Sequence, residues 1–165
     1  MTSAEPTSEV LRLRDISWSQ VAEVLDTYQL QLSRVPDGQP IPGSYWGECE
    51  AGIIGSVVYA RSDTPVHSLL HEACHLIVLP VERRSLVHTD ATDSIDEEDA
   101  TCYLQILLSD LLVGVGRQRA MQDMDAWGYT YRLGSTRAWF EQDAENACDW
   151  LTQRGLLPLH ATKGQ

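Results

Sequence analysis

His67-Ser68-Leu69-Leu70-His71-Glu72-Ala73-Cys74-His75 is the stretch that decides how the rest of this sequence is understood. Thr64-Pro65 ahead of it opens a helix with proline at the first helical position, and Pro80 beyond it closes that helix. Residues four apart on a helix share a face with one turn of rise between them, so His71 and His75 turn toward one point. Two imidazoles so placed can converge on a tetrahedral cation such as Zn2+, with metal–nitrogen distances of about 2.0–2.1 Å. Glu72 projects about 100° around the helix from His71. From there it can act as general base on a water that the metal holds, without taking a coordination position. His67 lies about 12 Å from His75 along the axis, too far to share the ion, and is expected to pack or hydrogen-bond beside the site.

A third ligand must come from elsewhere. The metzincin pattern would place a glycine three residues and a ligand six residues beyond His75, but Val78 and Val81 occupy those positions. The acidic run Asp96-Glu97-Glu98-Asp99 lies near the start of a helix predicted from Ser94 to about Val113. Ala100, Leu104, Leu107, Leu108 and Leu111 mark its apolar face. Glu97 falls within about 20° of the Leu104 direction, and Glu98 about 120° from it. A carboxylate centred on an apolar face needs a partner or a metal, so Glu97 is the expected third ligand. The competing explanation for Glu97 is a capping box with Ser94, and Glu98 and Asp96 are the next candidates.

Outward from these two helices, Ser17-Trp18-Ser19-Gln20 has the form of a helix start, and Val21, Val24, Leu25, Tyr28 and Leu32 follow at helical spacing to about Ser33. Tyr45 to Ala60 reads as two short strands turning near Glu50-Ala51-Gly52, the second being Ile53 to Tyr59. A polar loop runs from Val81 to Asp93. Arg117 to Met124 is a weaker helical stretch, and Trp127 to Gly134 is irregular, with room for a short strand. A last helix from Ser135 or Thr136 carries Trp139, Phe140, Ala144, Ala147, Trp150 and Leu151, and Gly155 stops it. The expected fold class is α+β: about four main helices with a small sheet of about three strands.

The chain has 165 residues, 43% of them hydrophobic, enough for one domain with its own core. Twenty-four acidic against 12 basic residues give a net charge of −12, with no Lys/Arg cluster to neutralise phosphates. Nucleic acid and anionic membranes are therefore disfavoured partners. No apolar run approaches the roughly 20 residues of a membrane span, and residues 1–9 lack a signal-peptide pattern, so a cytoplasmic location is expected. Cys49, Cys74, Cys102 and Cys148 form no CxxC pair and are expected as reduced thiols. Cys74, between the two motif histidines, is a small buried side chain or a reversible blocker of the metal.

His71-Glu72-Ala73-Cys74-His75, followed by Glu97-Glu98-Asp99-Ala100 and the run Leu104-Gln105-Ile106-Leu107-Leu108, resembles the gluzincins, and among them the ImmA/IrrE-type metallo-endopeptidases. The resemblance covers about residues 53 to 112. It implies one compact zincin-like domain over 1–165, with residues 1–9 and 161–165 as disordered tails. It implies Zn2+ held by His71, His75 and Glu97, Glu72 as the catalytic base, and a protein or peptide substrate. The strand from Ile53 to Ala60 would then be an edge that pairs with an extended peptide. Tyr129, Tyr131, His88 and His160 are candidates to stabilise an oxyanion. A zinc hydrolase of another amide, or a non-catalytic binding module on the same scaffold, is the alternative.

Overall fold

The computed structural model describes residues 10–44, 47–88 and 94–158. Its elements are α1 (Trp18–Thr27), β1 (Gln31–Arg34), β2 (Gly52–Ile54), β3 (Val57–Ala60), α2 (Val66–Val78), α3 (Ile95–Leu108), α4 (Gly116–Trp127), α5 (Thr136–Gln142) and α6 (Glu145–Gln153). Short 3-10 turns lie at Leu13–Asp15, Val81–Leu86 and Ser109–Leu111. The fold is α+β, with a three-stranded mixed sheet as expected. The proposed tails, His160 and the end of the 81–93 loop lie outside the described residues.

α2 is the central helix. One side rests on β2 and β3 and the other packs along α3. Ten of its thirteen residues are buried, leaving Glu72 and the two motif histidines partly open. Its C-terminal end is held by Arg84, whose Nε donates to the Leu76 carbonyl at 3.0 Å and whose Nη1 donates to the Tyr28 carbonyl at 3.0 Å. A cation on those carbonyls satisfies free acceptors and complements the helix dipole. Burial lowers the Arg84 pKa from its ordinary value.

α3 lies between two apolar clusters. Ala100, Leu104 and Leu108 join the main core with Leu25, Ile53, Val58, Leu69, Leu70 and Leu151. Cys102 and Ile106 join a second cluster with Met121, Met124, Trp139 and Ala147. Burial on almost every side of α3 also takes in Thr101 and Gln105, both 0% exposed.

Several boundaries differ from those read in the sequence. α1 stops at Thr27, and Gln29 takes a left-handed φ of 64°, so the chain turns and Gln31–Arg34 becomes a strand. The Tyr28–Leu32 spacing that prolonged the helical pattern is thus a coincidence across that turn. The segment Ile53 to Tyr59, expected as one strand, is itself a hairpin. Gly55, at φ 61°, and Ser56 form its two-residue turn, and Ile54 pairs with Val57. β3 is therefore the middle strand, parallel to β1 and antiparallel to β2, and not an edge. The outer side of β2 is covered too: Ile53 N–H donates to the Gly43 carbonyl, Gly55 N–H donates to the Val87 carbonyl, and Ile54 bridges to His88. Arg117 to Met124 belongs to a full helix, Trp127 to Gly134 holds no strand, and the last helix breaks at Asp143–Ala144 into α5 and α6.

Candidate metal centre

The i,i+4 spacing on α2 brings the rings of His71 and His75 to a centroid separation of 4.6 Å. Facing them from the first turn of α3 is Glu98. Its Oε2 lies 3.1 Å from His71 Nε2, and its Oε1 lies 3.4 Å from His75 Nε2. Glu97, the expected ligand, is on another side of the helix. It lines a cleft of about 580 Å3 with Ile77, Leu79, Arg83 and Trp150, and its main-chain N–H is capped by Ser94 Oγ at 3.3 Å. The structure thus sets Glu98, and not Glu97, beside the two histidines; α3 is packed between two apolar clusters, so a single apolar direction on its wheel does not identify that side. Asp96 is exposed.

The mark of that side is polar. Glu98, Cys102 and Gln105 follow at i, i+4 and i+7, one stripe of a helix, and all three meet the His71 neighbourhood. Gln105 Nε2 donates to the His67 carbonyl at 2.9 Å. A carbonyl only accepts, so this orients the amide and makes Oε1 an acceptor. His71 Nδ1, 2.9 Å from that Oε1, must carry the hydrogen. The Nε2 lone pair of a neutral His71 then points at a carboxylate oxygen, a repulsive arrangement unless a proton or metal ion lies between them.

Protonation reflects this demand. Burial opposes a charge on His71, yet Tyr129, Cys102 and Glu98 together raise its pKa well above the ordinary histidine value. Burial and the neighbouring His71 charge push His75 down to about 4. Burial alone would raise the Glu98 carboxyl, but the hydrogen bond and charge of His71, with His75, bring it below the ordinary value. One positive charge is thus drawn between two imidazoles and one carboxylate.

The donor set suits a zinc-sized ion. Nitrogen and oxygen ligands at about 2.0–2.1 Å from a tetrahedral centre sit roughly 3.3 Å from one another, and each histidine Nε2 lies near that distance from one oxygen of Glu98, His71 at 3.1 Å from Oε2 and His75 at 3.4 Å from Oε1. Glu72 places a carboxylate oxygen within 4.8 Å of ligand atoms on both histidines. His71 has a neutral amide as the acceptor beyond the ring. His75 Nδ1 is buried with no hydrogen-bond partner among the described residues.

The centre opens into a cleft of about 390 Å3 lined by Glu50, Ser68, His71, Glu72, Glu98, Trp127, Gly128 and Tyr129. Its far wall is tied across three elements. Glu50 accepts from Ser68 Oγ at 3.0 Å and from Trp127 Nε1 at 2.9 Å, and Ser68 Oγ accepts from the Ala51 N–H at 3.0 Å. Tyr129 Oη lies 3.3 Å from His67 Nδ1 and 3.4 Å from Gln105 Nε2. Burial pushes the Tyr129 phenol up to about 12, so it remains a donor. His67 packs edge-on against Trp127 and Tyr129, and burial, then the charges of His71 and Arg12, lower its pKa to about 3.

Of the other residues weighed for an oxyanion, Tyr131 stacks on Trp139 with its phenol beside Cys102 and does not line the cleft, and His88 sits at the sheet edge. Cys74 is fully buried in the main core, and burial raises its thiol pKa. Glu50, Cys102, Gln105 and Trp127 had no place in the sequence-based site. The i,i+4,i+7 stripe of α3 was the available signal for two of them. No helix among the described residues is long and apolar enough to cross a membrane. Comparison of the chain with protein-family models, with curated proteins and with solved structures gives no match in any of the three.

Proposed function

We propose that this chain is a zinc-dependent metallopeptidase, with His71, His75 and Glu98 holding the metal and Glu72 acting as general base. The observation that carries this is the convergence of both Nε2 atoms on the Glu98 carboxylate at 3.1 and 3.4 Å, with Gln105 directing the His71 lone pair toward it. Zinc bound there supplies a Lewis acid that polarises a scissile carbonyl and makes water a nucleophile near neutral pH.

The chain's own groups then divide the work. Glu72, one residue from His71 and open to the cleft, takes the proton of the attacking water and returns it to the departing amine. Tyr129 presents an un-ionised phenol in the cleft wall, fit to donate to a developing oxyanion. Trp127 and Gly128 supply an apolar face and open main chain for the substrate. Glu50, accepting a hydrogen bond at each oxygen, fixes a carboxylate in the far wall.

One observation favours a second reading within hydrolysis. The outer side of β2 is occupied by residues 43, 87 and 88, so a long peptide finds no free strand edge there. A cleft of about 390 Å3 suits a small amide or the end of a chain, near the low end of ligand-pocket volumes. Zinc-loaded wild type and Glu72→Gln, assayed on a peptide library and on short N-acyl amides, test both readings. Turnover by wild type that is abolished in a Glu72→Gln variant retaining zinc is the expected result, and the preferred substrates separate the readings. Equal turnover by the two proteins, or none on any amide, would contradict hydrolysis by this site.

A further inference from the structure

α3 turns a second ligand-type side chain to the same point. Cys102 follows Glu98 by four residues, as His75 follows His71, so each helix of the pair presents two such groups one turn apart. A His71 nitrogen, a Glu98 carboxylate oxygen and the Cys102 sulfur all lie within 4.8 Å of one another. Cys102 is 5% exposed and packs in the second apolar cluster, and the ionisable groups it reaches include His71 of this centre and the Tyr131 phenol. His71 and Glu98 belong both to this triad and to the His71–His75–Glu98 set, so adding the sulfur would make four ligands, the number that closes a tetrahedral zinc site.

We propose that Cys102 is a fourth protein ligand of the metal held by His71, His75 and Glu98, and that its thiolate holds the resting centre closed. This rests on the metal-centre assignment above and adds how that centre is regulated. Catalytic zinc sites keep one position open, whereas sites with four protein ligands are closed. When the sulfur binds, the thiol proton passes to solvent, a sulfur–metal bond forms and a water leaves the same position. No electrons are exchanged. Reversal restores the thiol and reopens the position to water or a substrate carbonyl. Cys74 is fully buried in the main core and belongs to neither ligand cluster among the described residues.

Cobalt(II) distinguishes the ligands by colour, because a bound thiolate gives an intense near-ultraviolet charge-transfer band that imidazole and carboxylate do not. The full chain without a His tag would be loaded with cobalt(II), and spectra normalised to cobalt per chain for wild type, Cys102→Ser, Cys102→Ala and Cys74→Ala. The band is expected in wild type and Cys74→Ala and is expected to vanish in both Cys102 variants. One cobalt per wild-type chain without the band overturns the proposal and leaves the three-ligand centre standing, whether or not the variants fold. A band that survives in Cys102→Ser overturns it equally. Absence of cobalt binding by wild type would overturn the metal centre itself, and the thiolate ligand with it.

Discussion

Replacing Gln105 by leucine separates the orientation of His71 from its identity as a ligand. Gln105 is 0% exposed and accepts from His71 Nδ1 at 2.9 Å while donating to the His67 carbonyl at 2.9 Å and to Tyr129 Oη at 3.4 Å. Leucine fills similar space and has no acceptor. The His71 N–H is then left buried and unpaired, at a cost of about 1–3 kcal/mol. The His67 carbonyl is less affected, since its helical partner remains, and the Tyr129 contact is already long. Added apolar burial offsets part of the loss, so the metal-free protein should lose roughly 1–2 kcal/mol. Metal affinity should fall further, because a partner beyond the ligand shell is typically worth about 10- to 100-fold. Competition against a chromophoric chelator at fixed pH, alongside urea unfolding of the metal-free chain, measures both quantities. Gln105→Glu supplies a stronger acceptor and should retain zinc affinity, while its buried charge lowers the stability of the metal-free protein. A folded Gln105→Leu variant that binds zinc as tightly as wild type would refute this account of how His71 is aimed.

Two other predictions concern the surroundings. His67 has a folded pKa of about 3 against an ordinary 6.5, so between these values the unfolded chain binds a proton that the folded chain does not. Its contribution is fully present above pH 6.5 and is lost as pH falls toward 3, at about 1.4 kcal/mol per pH unit, or roughly 2 kcal/mol by pH 5. Urea unfolding against pH should therefore fall more steeply for wild type than for His67→Gln, and parallel curves would contradict it. Gly52→Ala would drive a Cβ into the main chain of Pro42 and Ser44, which lies against β2. A loss of about 1–3 kcal/mol in urea unfolding is expected, and an unchanged midpoint would show that this close approach carries no constraint.

The parts of the molecule that could be read from the sequence share a physical reason. The motif helix was legible because proline marks both its flanks and its histidines repeat at helical spacing, and in the structure α2 runs from Val66 to Val78. The starts of α3 and α5 carry serine caps that accept from the main-chain N–H three residues on, a local signal independent of tertiary contacts. The hairpin at Gly55-Ser56 was hidden in a β-rich run, where the two residues read as strand interior. β1, with Gln31 and Arg34 exposed at its ends, has little alternation to announce it. That Glu98, and not Glu97, lies beside the two histidines escaped the sequence for a tertiary reason. A helical wheel locates one apolar face, but α3 is packed between two clusters and has no single face to locate. Glu98, Cys102 and Gln105 could have been noticed as a polar stripe running into a leucine-rich segment, yet only the packing of α3 on α2 shows what they address.

The most direct test of the central claim is bound zinc per chain, measured by elemental analysis on untagged wild type, Glu98→Ala and Glu97→Ala. The account predicts close to one zinc per wild-type chain, a sharp fall in Glu98→Ala and no change in Glu97→Ala. Wild type that holds no zinc after reconstitution, or zinc lost with Glu97 and kept without Glu98, would contradict it.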